Sequence, residues 1–337
     1  MFRSFFIIGL DGIELTAEDK KILSLAKPSG VIIFERNLDD SKNWYKWYRS
    51  LVEDICKTLG TNQLLLCIDH EGGRVLRFKT PFTQFPYPWH YKKHSYEVGK
   101  QMGRELALAG INLNFAPCVD VLSNQSNTVI GQRAFSSNPV EVKECAKSFV
   151  DGLQAQGVYG CFKHYPGHGS TSEDSHFCLP VVKKSLEDLQ SCELIPYKRI
   201  PEKLQFVMTA HVVFPEVDQM PATLSSKFLN LLRNDLNYSG YVVSDDIEMN
   251  ALSSYFDDQI GLFEKLKAVN ADFVIYSANR KIFHETIVKM MIDKMSDRIA
   301  SSSLSFLSRL KVSVNDLDYA VFREGEILLR KIENCNG

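Results

Sequence analysis

The chain has 337 residues, 45% of them hydrophobic and 24% charged, and a net charge of −2, a balance that suits one large globular domain or two ordinary ones. No Lys/Arg run is long enough to form a nucleic-acid face, acidic residues do not cluster, and no apolar run approaches the roughly 20 residues that span a bilayer, so strongly electrostatic partners and membrane spans are excluded. The eight cysteines (Cys56, Cys67, Cys118, Cys145, Cys161, Cys178, Cys192 and Cys335) are scattered without C-x-x-C spacing. Several stand in apolar runs, where a thiol packs as a small hydrophobe. This fits a reducing cytoplasm better than a disulfide framework.

At the N-terminus, the apolar stretch Phe5 to Leu10 is too short for a signal-peptide core, and Asp11 ends it without a small-residue cleavage site, so it reads as a first strand. Strands are predicted at Phe5–Gly9, Gly30–Phe34, Leu64–Ile68, Ile111–Ala116, Gly160–Lys163, Phe206–Thr209, Tyr241–Ser244 and Phe273–Tyr276. Most are continuous apolar runs, as parallel strands covered on both faces must be. Helices alternate with them. Their starts are marked by Thr16 as N-cap, by Asn138-Pro139, by Ser185-Leu-Glu-Asp and by Ser225-Ser-Lys-Phe. Eight β units with intervening helices predict a single (β/α)8 barrel of the TIM type, whose usual length is about 250 residues plus insertions. A doubly wound sheet carries a Gly-rich phosphate loop after its first strand, and Gly9-Leu-Asp-Gly12 lacks that pattern. No linker or repeat interrupts the chain. Residues 280–337 read as extra C-terminal helices, so residues 1–337 are expected to form one domain.

In such a barrel the chemistry sits just past the C-terminal strand ends. The third strand leads into Asp69-His-Glu-Gly-Gly-Arg74 and then Arg77. Paired glycines allow a tight turn beside a ligand, and a carboxylate with a nearby arginine suits sugar hydroxyls or an anionic group. A surface salt bridge is the plainer reading of this piece. The fourth strand leads to Asp120 and later to Arg133. The sixth leads to His211, which as a lone histidine reads as structural. The seventh leads to Asp245 and Asp246. Adjacent carboxylates repel, so one is expected to turn into a hydrogen-bond network while the other stays at the barrel mouth as a candidate nucleophile.

The densest stretch follows the fifth strand. Lys163 to Pro180 read KHYPGHGSTSEDSHFCLP and hold three of the eight histidines, His164, His168 and His176. Pro166, Gly167 and Gly169 mark it as a loop. Asp174, two residues before His176, can orient and polarise that imidazole for general acid/base work. A metal held by the three histidines is the rival. Pro166 and Gly167 between His164 and His168 oppose the helix that would put two ligands on one face.

These residues match a family. KHYPGHGSTSEDSHFCLP resembles the signature loop of family 3 glycoside hydrolases, and within it the bacterial single-domain β-N-acetylhexosaminidases of peptidoglycan recycling. Four more stretches fit in order: Gly30-Val-Ile-Ile-Phe-Glu-Arg-Asn37, Ile68-Asp-His-Glu-Gly-Gly-Arg-Val75 with Arg77-Phe78, Asn114-Phe-Ala-Pro-Cys-Val-Asp120, and Val243-Ser-Asp-Asp-Ile-Glu-Met249. The resemblance implies Asp245 as the nucleophile of a covalent glycosyl-enzyme, and His176 as acid/base with Asp174 as its partner. It implies Asp69, Arg77, Arg133, Lys163 and His164 as sugar contacts. It further implies retention of configuration, GlcNAc-containing muropeptides such as GlcNAc-1,6-anhydro-MurNAc as substrates, a cytoplasmic location, and no metal or organic cofactor. No exposed apolar stripe is evident, so a monomer is expected. Two departures stand out: His70 where the family more often has Gln, which is expected to alter affinity or pH dependence, and Ser277-Ala-Asn279, a loose form of the eighth-strand end. The remaining rivals are a β-glucosidase or β-xylosidase on the same barrel, a metal-dependent hydrolase, and a sugar-binding protein that has lost catalysis.

Overall fold

A computed structural model describes residues 3–171, 179–200, 204–278, 283–292 and 301–336. Ten strands occur among them: β1 (Ser4–Ile8), β2 (Pro28–Ile33), β3 (Leu65–Ile68), β4 (Leu113–Asn114), β5 (Tyr159–Tyr165), β6 (Phe206–Thr209), β7 (Val213–Phe214), β8 (Asp218–Pro221), β9 (Tyr241–Ser244) and β10 (Val274–Tyr276). Eight of them form one parallel sheet in the order β10-β1-β2-β3-β4-β5-β6-β9. The two ends of that order meet. Val243 bridges Phe273, and the Ser244 N–H donates to the Phe273 carbonyl at 3.0 Å. The sheet is therefore the expected TIM-type barrel, with helices between successive strands.

Alternation along the strands explains the continuous apolar runs. Val31 and Ile33, Leu66 and Ile68, Phe162, Val207 and Val242 belong to one buried cluster, which also holds residues of the helices Trp44–Leu59, Ser95–Leu108 and Pro139–Gln154. Their neighbours Ile32, Leu65, Cys67, Cys161, Phe206, Met208 and Val243 belong to a second. Successive strand residues point to opposite faces, so one run of apolar side chains fills two cores.

The helix starts follow the capping signals. Thr16 accepts from the Asp19 N–H at 3.0 Å, while the Asp19 carboxylate accepts from the Thr16 N–H at 2.9 Å. Ser185 and Asp188 form the same reciprocal box. Asn138, with Pro139 at the first helical position, and Ser225 cap two more.

Three details differ from the predicted strands. β4 keeps only two residues, because the Asn112 side chain takes over ladder bonds: it accepts from the Leu66 N–H and donates to the Leu64 carbonyl, both at 2.9 Å. β5 runs on to Tyr165, since Tyr165 pairs with Thr209 beyond a register shift and its carbonyl accepts from the Ala210 N–H at 2.7 Å. Beyond Lys163, His164 and Tyr165 thus stand on the strand rather than in the loop. The short antiparallel pair β7–β8 after His211 is an addition that its brief, partly polar sequence did not signal. The C-terminal helix Tyr319–Asn336 docks on Ser95–Leu108, where Gln101 donates to the Val321 carbonyl at 2.7 Å. Among the described residues, no helix is long and apolar enough to cross a membrane.

Candidate active site

The ends of β3, β4, β5 and β9 converge on a pocket of about 420 Å³, within the range of small-molecule sites. Asp69, Arg77, Arg133, Lys163, His164 and Asp245 all line it, so the barrel gathers the six predicted site residues that lie among the described ones. His176 and Asp174, the predicted acid/base pair, lie outside the described residues.

After β3 the chain turns sharply, with the Glu71 N–H donating to the Val75 carbonyl at 2.8 Å. Gly72 (φ +116°) and Gly73 (φ +58°) make this possible. A Cβ on Gly72 would sit 2.3 Å from the Pro86 carbonyl oxygen, and one on Gly73 2.2 Å from the Tyr87 ring. The turn puts Asp69 and Glu71 on the same side of the mouth. Lys163, arriving on β5, reaches one oxygen of each at 2.7 Å. Arg133 grips Glu71 with a fork, Nε to Oε2 at 2.9 Å and Nη2 to Oε1 at 2.8 Å. Burial opposes the charge on Glu71, but Arg133 and Lys163 outweigh it and hold the carboxyl well below the usual range. Lys163 is itself raised: burial works against its ammonium, and Asp69 and Glu71 more than compensate. Ion pairs thus join four residues, Asp69–Lys163–Glu71–Arg133, with Glu71 and Lys163 held in their charged forms.

Asp120, past β4, organises the start of the main loop. Its carboxylate accepts from the His168 N–H at 2.6 Å and the His164 N–H at 3.3 Å, and meets His164 Nδ1 at 2.7 Å. Burial opposes its charge, yet His164 and His168 hold it below the ordinary carboxylate range. An ionised Asp120 can only accept, so His164 carries its proton on Nδ1 and offers Nε2 as its other polar atom. His168 is pulled down to about 4 by burial and then by His164. It is neutral at physiological pH, as a hydrogen-bonded wall of the pocket.

At β9 the two adjacent acids separate. Asp246 accepts from the N–H groups of Ser277 at 3.1 Å and Glu248 at 3.2 Å, and burial pushes it up to about 7. Its carbonyl meets Nε2 of His211 at 3.0 Å, a structural use of that histidine. Asp245, half-buried, accepts from the Asp246 N–H at 2.8 Å and faces the pocket. The second acid thus enters the network, as expected for such a pair.

Arg77 lines the pocket with Nη2 4.0 Å from Asp69, and its buried Nε has no hydrogen-bond partner among the described residues. Of the two effects expected of His70, on affinity and on pH dependence, its surroundings bear on the second. It is buried, accepts the Arg77 N–H on Nδ1 at 3.2 Å, and is pulled down to about 3 by burial and then by Arg77. It does not line the pocket and stays neutral, so it contributes no titration near neutral pH. Arg133 is also more committed than the sequence implied, since both members of its fork are spent on Glu71.

Three residues of the site carried no assigned role in the sequence. Glu71 was readable in hindsight: it follows Asp69 by two positions, the repeat that returns an extended chain to the same face. Asp120 stood at a strand end without a marked partner, and His168 was considered only as a metal ligand. As for metals, the one group of potential ligands among the described residues is Cys118, Asp120 and His164. It is a hydrogen-bonded set, with the Cys118 thiol 3.2 Å from Asp120 and held protonated by burial. His168 is not part of it.

Comparison with known proteins agrees with this geometry. Residues 7–293 match the glycosyl hydrolase family 3 N-terminal domain. A β-hexosaminidase of Idiomarina loihiensis is 34% identical over 284 residues, covering 81% of this chain and 84% of that one. A β-hexosaminidase of Pseudomonas aeruginosa is 34% identical over 252 residues, 72% and 73% of the two chains. Among solved structures, NagZ of Neisseria gonorrhoeae in complex with N-trifluoroacetyl-D-glucosamine superposes with a TM-score of 0.80 at 26% identity, over 98% of both chains. A family 3 β-N-acetylglucosaminidase of Paenibacillus gives 0.78 at 31% identity over 96% of this chain, which spans only 61% of that longer one. The chain belongs to glycosyl hydrolase family 3. It is a glycoside hydrolase, and the relatives named here are β-hexosaminidases or β-N-acetylglucosaminidases.

Proposed function

We propose that the protein is a retaining exo-β-N-acetylglucosaminidase that removes non-reducing terminal GlcNAc from muropeptides in cell-wall recycling. The observation that carries this reading is the pocket itself: Asp245 shares the barrel mouth with Asp69, Arg77, Arg133, Lys163 and His164. Asp245 attacks the anomeric carbon, and the glycosidic oxygen leaves with a proton from His176, which Asp174 orients. Water then attacks the glycosyl-enzyme while His176 takes its proton, and configuration is retained. Because burial raises the Asp246 carboxyl to about 7, its ionisation beside the nucleophile is disfavoured.

Asp69, Arg77, Arg133, Lys163 and His164 hold the hydroxyls of the sugar in this reading. Lys163 and Asp69 are pre-positioned by their ion pair, and Arg77 brings a buried donor with no protein partner among the described residues. Arg133, which also lines the pocket, fixes Glu71 and so the lysine. The free thiols of the described cysteines fit work in a reducing cytoplasm, and the protein is read as a monomer. A β-glucosidase or β-xylosidase specificity is the alternative.

The test is hydrolysis of 4-nitrophenyl β-N-acetylglucosaminide and of the matching glucoside, in EDTA, by the wild-type chain and by Asp245→Asn. The expected result is turnover of the GlcNAc substrate that falls by about 10⁴ in the variant. Preference for the glucoside selects the alternative. Loss of turnover in EDTA points to a metal-dependent hydrolase. Equal turnover by both proteins rejects Asp245 as nucleophile.

A further inference from the structure

His176 stands in the sequence between Thr171 and Leu179, and the chain is described on both sides of that stretch. On the outgoing side, Asn127 donates to the His168 carbonyl at 2.8 Å and to the Thr171 hydroxyl at 3.1 Å, and Asn124 donates to the Thr171 carbonyl at 3.1 Å. The returning side joins β7: the Val182 N–H donates to the Val213 carbonyl, and the Val213 N–H to the Pro180 carbonyl, both at 2.9 Å. Glu193 touches both sides. Its Oε1 accepts from Lys184 on the returning side and, at 3.1 Å, from the hydroxyl of Ser123, the neighbour of Asn124. Its stem lies against Gly167 on the outgoing side, where a Cβ would stand 2.7 Å from Glu193 Cγ. The Glu193 side chain is wholly buried, and Oε2 has no hydrogen-bond partner among the described residues. Neither Glu193 nor Lys184 lines the pocket.

A buried carboxylate with one oxygen unpartnered is costly, and for packing alone an apolar side chain would serve better. What the ion pair supplies is geometry: it fixes one flank of the stretch against the other. A general acid has to stand within about 2.6–3.2 Å of the oxygen it protonates, and a misplacement of about 1 Å can cost roughly 10²-fold in rate. We propose that Glu193 and Lys184 are positioning residues, whose ion pair clamps the two flanks of the stretch that carries His176 and so sets where the acid/base stands against the glycosidic oxygen. The inference rests on the glycosidase reading above, with His176 as its acid/base. Without the pair, the returning flank keeps its bonds to β7 but loses this tie to the outgoing one.

The experiment uses the full chain with phenyl and 4-nitrophenyl β-N-acetylglucosaminide. Nitrophenolate is a weak base and leaves without a proton, whereas phenolate needs one from the acid. The ratio of kcat/KM, phenyl over nitrophenyl, therefore reads proton delivery. Both values come from one sample, so the ratio does not depend on how much of that sample is folded. In His176→Gln the ratio is expected to fall about 10²-fold. Glu193→Gln and Lys184→Met should each lower it about tenfold, and Lys184→Arg, which can renew the ion pair, should hold it near the wild-type value. Lys184 is partly exposed, so its variants serve if Glu193→Gln does not fold. An unchanged ratio in Lys184→Met or in folded Glu193→Gln, beside a lowered one in His176→Gln, overturns the proposal and leaves the glycosidase reading intact. A ratio that falls as far in Lys184→Arg as in Lys184→Met overturns it too. An unchanged ratio in His176→Gln removes His176 as acid/base, and the proposal with it. No turnover of either substrate by folded wild type overturns the glycosidase reading itself.

Discussion

Glu71 and Glu105 are buried almost equally, at 1% and 2% exposure, yet they behave in opposite ways. Glu71 stands in the pocket between Arg133 and Lys163 and is held well below the usual range. Glu105 is not part of the pocket's lining and stands on the helix Ser95–Leu108, where Thr83 and Gln101 supply neutral donors. Burial pushes it up to about 7, and those hydrogen bonds only partly offset the rise. Desolvation disfavours a carboxylate at both places, but only in the pocket do two cations outweigh it. The difference separates a site built to hold charge from a packing contact that tolerates a neutral acid.

The largest expected effect comes from breaking the charged side of this comparison. Glu71→Gln leaves Arg133 buried without its partner and Lys163 with Asp69 alone, so stability should fall by about 3–5 kcal/mol. Chemical denaturation of the variant measures it, and a fall below about 1 kcal/mol would mean that the network is not electrostatically tight.

The next effect reads the neutral side through pH. Glu105 has its pKa raised on folding, so its contribution is fully present below its ordinary value of about 4.5 and is lost as pH rises towards about 7. Glu71 has its pKa lowered, so its contribution is present above that ordinary value and is lost only as pH falls through its depressed folded value. Between pH 4.5 and 7, Glu105 should therefore cost up to roughly 3 kcal/mol. Thermal melts across that window should show wild type losing stability relative to Glu105→Gln as pH rises. Parallel curves would contradict the raised value.

The smallest effect belongs to His70. Glutamine can accept the Arg77 N–H that the imidazole accepts now, so His70→Gln should change stability by less than about 1 kcal/mol. Because the ring is neutral throughout, the pH profile of kcat/KM between about 5 and 8 should stay where it was. A shifted limb in that profile would show that His70 titrates during turnover.

The strand positions were legible because parallel barrel strands need apolar side chains on both faces, and runs such as Gly30–Phe34 and Tyr241–Ser244 have little else to become. Helix starts were legible because capping is local: Thr16 and Asp19 lie three residues apart. Strand lengths were less so. β4 is cut short by the Asn112 side chain, and β5 is extended by pairing with a strand more than 40 residues later. Neither cause sits inside the segment it acts on.

The amino-acid sequence by itself determined the order of the elements and which chemistry-bearing residues stand at which strand end, since periodicity, capping and turn residues act over a few positions. The tertiary structure alone decided how those residues behave. It paired Glu71 with Arg133 across 62 positions and Asp69 with Lys163 across 94, and it used Ser277, 31 positions away, to draw Asp246 aside from Asp245. Charge and protonation depend on distance in space and on loss of water, and neither exists until the strands have closed into the barrel.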